Sequence, residues 1–186
     1  MKIPDNKTAI RLLKQYNTPI HIIRHCVQVA KVAVFIGNLL KESGCNISIT
    51  LLRAGGLLHD VSKYESILYG GDHASMGAKI LKNFGYEEVA RIVKSHVHLD
   101  PALLHAEQIC EELIVNYADK RVKHTNVVSL EERFEDLYNR YGSNKKSIKR
   151  IDKLYKQSRC MEKIIFGRLN IKPTKLNLIF RRKNRG

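Results

Sequence analysis

The sequence predicts an all-α fold. Apolar residues recur at steps of three and four along almost the whole chain, the intervals that place side chains on one face of a helix. No run of alternating apolar and polar residues is long enough to argue for a sheet. Capping residues and glycines interrupt the periodic segments at helix-length intervals. With 186 residues, 44% apolar and 27% charged, the chain is long enough for one domain with a real core plus an appendage, and short for two independent domains.

From Pro19 to Leu40 a wide apolar stripe, including Ile22, Ile23, Cys26, Val29, Ala33 and Ile36, predicts a long core helix that the Ser43-Gly44 pair ends. Asn46 or Ser48 caps the next helix, which runs through Leu51, Leu52 and Leu57-Leu58 to His59-Asp60. Its Gly55-Gly56 pair lowers helix propensity and permits close backbone approach. Tyr64 to Asp72 reads as a polar, glycine-rich connection, followed by a helix from about His73 to Asn83 and another from about Glu87 to His98. Residues 107–122 form a further helix by their spacing. Ser129 and Glu132 have the spacing of a capping box for a helix ending near Tyr141-Gly142. The last long helix runs from about Asn144 to Arg168, and no internal repeat is present.

Charge divides the chain unevenly. Residues 1–141 hold 18 Lys or Arg against 16 Asp or Glu, whereas residues 142–186 hold 15 against 2, so most of the +15 net charge lies in the tail. We therefore divide the chain into a core domain, 1–141, and a basic helical C-terminal extension, 142–186, with its own electrostatic partner. The opening MKIPDNKTAI has no apolar signal region, and the stretch Val27 to Leu40 is interrupted by Lys31 and too short to span a bilayer, so no membrane span and a cytoplasmic location are the expectations. The four cysteines, Cys26, Cys45, Cys110 and Cys160, contain no C-x-x-C pair and read as reduced filler.

Several residues carry potential chemistry. His25 shares a face with Val29, Val32 and Ile36, so its imidazole points toward the core. Asp119 is flanked by Val115 and Val122 at helical steps, and a buried carboxylate needs a cation or hydrogen-bond donors to remain ionised. His59 and Asp60 are chain neighbours at the end of an apolar segment. On a regular helix neighbours diverge by about 100°, so both serve one site only near a helix end or around a shared ion.

The order His25, His59-Asp60, Asp119 resembles the HD superfamily of metal-dependent phosphohydrolases. HCVQVAKVA resembles the family's first ligand helix, LLRAGGLLHDVSK its HD segment and ELIVNYADKRVK its final aspartate helix, together covering about residues 19–141. The resemblance implies a compact helical bundle in which His25, His59, Asp60 and Asp119 hold a divalent metal. GDHASMGAKIL and KSHVHL resemble the segments that supply a second ion in binuclear members, with His73 and His96 as ligands and Asp60 as the bridge. Family members have adjacent histidines in the second segment. Here Val97 separates His96 from His98, and His96 aligns better with the preceding helix. The layout is similar to small bacterial HD proteins and to symmetrical dinucleoside tetraphosphate hydrolases.

The implied function is hydrolysis of a nucleotide or other small phosphate ester or anhydride by metal-activated hydroxide, with Asp60 and Lys63 in the catalytic set. A His/Asp set without thiolates suits Fe, Mn, Zn, Co or Ni, with Mg not distinguished from them. Lys63, Lys120 and Arg133 are the candidate phosphate contacts; for Lys63 the alternative is a solvated loop lysine. The chain lacks a P-loop, a G-x-G-x-x-G sequence and a G-x-S-x-G elbow. The basic tail ending IFRRKNRG either engages nucleic acid or another polyanion, or packs an apolar face on the core and leaves its charges in solvent. In the competing reading the whole chain is a non-catalytic, metal-containing regulatory module whose tail binds the polyanion.

Overall fold

A computed structural model describes residues 2–183, and of the ending IFRRKNRG residues 184–186 and the side chains of 181–183 lie outside the description. The fold is all-α, with one two-residue antiparallel hairpin among the described residues.

Helix α1, Asn6–Gln15, is capped by Asp5, whose side chain accepts from Thr8 N at 2.7 Å, and buries Ala9, Leu12 and Leu13. The sequence expectations do not include it, because only three of its ten residues are buried and apolar. The expected core helix is α2, Ile20–Glu42, which begins at Pro19 and stops at Ser43. At 23 residues it is long and apolar enough by composition to cross a membrane, a longer segment than Val27 to Leu40 alone suggested. Its apolar stripe, however, is spent inside the protein: Cys26, Val29, Val32, Ala33, Ile36 and Leu40 are fully buried.

Helix α3, Ile49–Leu58, is capped by Ser48 and runs against α2. The reason for Gly56 is direct: a Cβ there would stand 2.6 Å from Ala30 Cα, in the backbone of α2. Gly56→Ala should therefore cost about 1–3 kcal/mol through overpacking against a backbone that cannot rotate away. Equilibrium urea unfolding measures it, and a neutral result would mean that the two helices separate freely.

The connection expected over Tyr64 to Asp72 is instead mostly helical. Helix α4 spans Lys63–Tyr69, and only Gly70 and Gly71, both at positive φ, form the turn. The two adjacent glycines suggest a connection, but the seven residues before them contain no helix breaker. Asp72 then caps α5, His73–Asn83, through Ala74 N and Ser75 N. Helix α6, Glu87–Ser95, stops three residues before the predicted end. A 3-10 turn at Pro101–Leu104 and an irregular segment follow, so α7 covers Glu111–Lys120 rather than 107–122.

Beyond α7 the chain makes the hairpin of β1, Val122–Lys123, and β2, Asn126–Val127, whose turn holds His124 at φ 55°. The expected capping box is present: Ser129 and Glu132 exchange side-chain and backbone hydrogen bonds at the start of α8, Leu130–Tyr141. Helix α9, Lys145–Phe166, is capped by Asn144, and α10, Thr174–Lys183, closes the described chain. The basic extension shares the core. Ile151, Met161, Ile165, Leu176 and Phe180 belong to the same buried cluster as α2, α3, α6 and α7.

Arg121 joins these parts. Only 1% exposed, its guanidinium donates to Val128 O at 2.7 Å, to the Tyr117 hydroxyl, to Glu162 of α9 at 3.3 Å, and to Pro173 O and Asn177 Oδ1 before and within α10 at 3.3 and 2.6 Å.

Candidate metal centre

Five elements deliver the candidate ligands. His25 comes from the first half of α2, His59 and Asp60 from the end of α3, His73 from the first residue of α5, His96 from the end of α6, and Asp119 from α7. The helix-end position solves the problem of the adjacent His59 and Asp60. Past Leu58 the regular helix gives way to turns, and both side chains face the same interior space.

The geometry forms two groups that share Asp60. In each, His25, His59 and Asp60 or Asp60, His73 and His96, the potential donor atoms all lie within 4.8 Å of one another. Asp119 borders the first group, with Oδ1 at 3.0 Å from His25 Nε2 and 3.7 Å from His59 Nε2. In the second, His73 Nε2 and His96 Nε2 are 3.1 Å apart and stand 3.4 and 3.5 Å from Asp60 Oδ1. All six predicted ligand positions are thus brought together. His98 is not: its Nε2 faces the Arg150 guanidinium at 3.1 Å.

The ring orientations are set from behind. His25 Nδ1 donates to His124 O at 2.9 Å, His59 Nδ1 to Gly56 O at 2.9 Å and His96 Nδ1 to Val93 O at 2.6 Å. A carbonyl can only accept, so each Nδ1 carries hydrogen and each ring turns its Nε2 into the site, the arrangement of metal-binding imidazoles. The left-handed turn at His124 has its role here, since it aims that carbonyl at His25.

Protonation follows from burial and charge. Burial depresses His59 to about 4, the nearby carboxylates only partly opposing it, and also lowers His73. Both are neutral near pH 7. Burial works against ionised Asp60, but its electrostatic interaction with the His59 ring and the hydrogen bonds of His73 and His96 outweigh it and hold the carboxyl well below its usual range. For Asp119 the opposition of burial is overcome chiefly by Lys120, then by His25. His25 alone among these histidines is raised: burial opposes its charge, but the hydrogen bond and charge of Asp119 prevail.

His59 Nε2 supplies the test of fit. It is fully buried, has no hydrogen-bond partner among the described residues, and lies between Asp60 Oδ2 at 3.6 Å and Asp119 Oδ1 at 3.7 Å. A neutral ring presenting a lone pair to two ionised carboxylates is unfavourable in a dry interior unless a cation stands among them. Nitrogen and carboxylate donors without a thiolate suit a borderline or hard divalent ion. The site therefore fits a metal.

The predicted phosphate contacts divide. Lys63 stands beside the second group, with Nζ 3.3 Å from His73 Nε2 and 3.7 Å from Asp60 Oδ1, and its side chain is 36% exposed. Lys120 is buried, and its ammonium is occupied by Asp119 Oδ2 at 2.6 Å and His96 O at 3.1 Å, which makes it a support for two candidate ligands instead of a phosphate contact. Arg133 is paired with Asp136 on its own helix at 3.2 Å, and no hydrogen bond or ion pair joins it to the cluster among the described residues. Cys26 is buried and its thiol is pushed well up by burial, whereas the other three cysteines are half-buried and all four are free.

Fold and site together define a helical protein with a His/Asp site for divalent ions. Residues 22–122 match the family model of the HD domain, and the chain belongs to that family of metal-dependent phosphohydrolases. It is 29% identical over 156 residues to an uncharacterized protein of Methanocaldococcus jannaschii, covering 77% of this chain and 90% of that one. It is 31% identical over 172 residues to a tRNA (cytidine(56)-2'-O)-methyltransferase of Thermoplasma volcanium, covering 83% of this chain but 46% of that one. A ribonuclease Y of Fervidobacterium nodosum is 35% identical over 77 residues, 41% of this chain and 14% of that one. The chain thus spans less than half the length of either of these two enzymes. No solved structure matches it significantly.

Proposed function

We propose that the protein is a metal-dependent phosphohydrolase acting on a nucleotide or another small phosphate ester or anhydride. His25, His59, Asp60 and Asp119 hold one divalent ion, and Asp60, His73 and His96 hold a second. The observation that carries this reading is the unpartnered His59 Nε2 between two buried carboxylates, beside a second ligand group that shares Asp60. Divalent ions there supply Lewis-acid contacts to phosphate oxygens and lower the pKa of water.

The chain's own residues supply orientation and charge. Lys63, partly exposed and beside the second group, binds a non-bridging phosphate oxygen or protonates the leaving oxygen. Lys120 and the three carbonyl acceptors hold ligands in place, so that the lone pairs already face the ions before substrate arrives. Lys63→Ala should lower kcat/KM by about 10–1,000-fold, on the scale of losing one transition-state donor, with metal content unchanged. Elemental analysis alongside steady-state kinetics separates the two effects; loss of metal with activity would assign Lys63 to metal retention.

Metal content should be measured on protein purified without added metal, followed by a panel of nucleotides, dinucleoside tetraphosphate and short RNA with each candidate ion. Turnover of any member supports hydrolysis; bound metal with no turnover favours the regulatory module. RNA belongs on the panel for two reasons. Lys149, Lys153 and Lys156 are exposed on α9, which packs along the segment after His96 through Gln157 to Leu99 O at 3.0 Å. Two of the similar proteins are also named for acting on RNA or tRNA. Removing the whole extension would strip buried residues from the core, so reversing those three lysines to glutamate is the cleaner test. In the regulatory reading, RNA binding is salt-sensitive and is lost in that variant.

A further inference from the structure

A second cavity lies on the far side of α2. It encloses about 640 Å³ between α1, α2, α3 and α10, within the range of small-molecule sites. Val34, on its wall, follows His25 by nine residues, which turns it about 180° around the helix from the metal-facing imidazole. The cavity is separate from the metal centre.

Its lining combines three chemistries. Gln28 is 7% exposed, forms part of the wall, and has an enclosed amide nitrogen without a hydrogen-bond partner among the described residues. Such an amide destabilises a fold unless something in the cavity pairs with it. Phe35 and Phe180 add two aromatic rings, 5.8 Å apart and edge to face. Lys31 and Arg53 are exposed on the rim and form no ion pair among the described residues. The matching ligand has a planar body, an edge that pairs with a carboxamide, and an anionic group that remains near solvent.

We propose that this cavity binds a nucleoside monophosphate, with the base inward against Gln28 and the two rings and the phosphate outward at Lys31 and Arg53. A glutamine amide pairs two-pronged with the donor–acceptor edge of a base, aromatic faces stack on any base, and paired cations suit a phosphate. An aromatic carboxylate would satisfy the rings and the rim but leave the Gln28 amide half paired. Inorganic phosphate would satisfy the rim alone.

Calorimetric titration of the full-length chain with AMP, GMP, CMP and UMP tests the assignment, with inorganic phosphate and benzoate as comparison probes. The native protein and the Asp60→Ala variant are both titrated, so that binding here is distinguished from binding at the metal centre. At least one nucleotide should bind saturably to both proteins, and Lys31→Glu, Arg53→Glu and Gln28→Leu should each weaken it about tenfold or more. The two rim variants change exposed side chains, so they decide the matter even if Gln28→Leu does not fold. Absence of saturable binding overturns the proposal. So does binding that is lost in Asp60→Ala but kept in both rim variants, or binding of phosphate or benzoate as tight as that of the nucleotides. None of these outcomes bears on whether the metal centre is hydrolytic.

Discussion

For the proposed two-ion hydrolytic centre, Asp60→Ala should abolish retention of both ions and reduce turnover by more than the 10- to 100-fold typical of losing a partner behind a metal ligand. Asp60 belongs to both potential ligand groups, so its removal subtracts a donor from each. It also leaves His59, His73 and His96 without the carboxylate that their rings face at 3.4–3.6 Å. His73→Ala provides the contrast, because it subtracts from one group only and should leave about one ion per chain. Elemental analysis and single-substrate kinetics on the two variants read both effects. Full turnover in Asp60→Ala would rule out the proposed centre; loss of all metal in both variants would mean that the two groups bind as one.

Arg121→Met is expected to cause the largest loss of stability, about 3–5 kcal/mol, the range for removing one partner of a buried ion pair. The methionine fills space but leaves Val128 O and Asn177 Oδ1 without their donor and takes the only charged donor from Glu162 Oε2, which keeps the Tyr117 hydroxyl at 2.7 Å. Glu162 retains Arg159 on its exposed side at 3.2 Å, which places the estimate toward the lower end. Because Arg121 joins α7 to α9 and α10, the loss should be accompanied by faster amide exchange in α10. Urea unfolding with hydrogen exchange checks both; a change under 1 kcal/mol would show that the extension is held by its apolar face alone.

The candidate site was readable to the extent that its residues lie on strongly periodic segments. His25 and Asp119 sit among apolar residues at helical steps, so their inward direction follows from spacing, and the helices that carry His73 and His96 begin or end close to where capping signals place them. Lys120 and Arg121 gave no such signal. A lysine and an arginine at a helix end are ordinary solvent-facing residues by composition, and their burial depends on Asp119, His96 and the returning α9 and α10. Arg133 failed in the opposite sense: its acid partner three residues on, Asp136, was in the sequence but carried no indication of which charge would be free.

Local spacing by itself determined that the chain is helical, where its long helices start and stop, and which residue types are available for a metal, because these depend on residues within a few positions of one another. Only the tertiary structure decided the rest. The contact that occupies His98 comes from Arg150, more than fifty positions away, although the helix spacing already favoured His96. The basic extension became part of the core because Leu176 and Phe180 found buried surface there. Asp60 became common to two ligand groups because α2, α3, α5 and α6 converge on it. Packing sets these distances, and packing joins residues whose separation along the chain exceeds any sequence period.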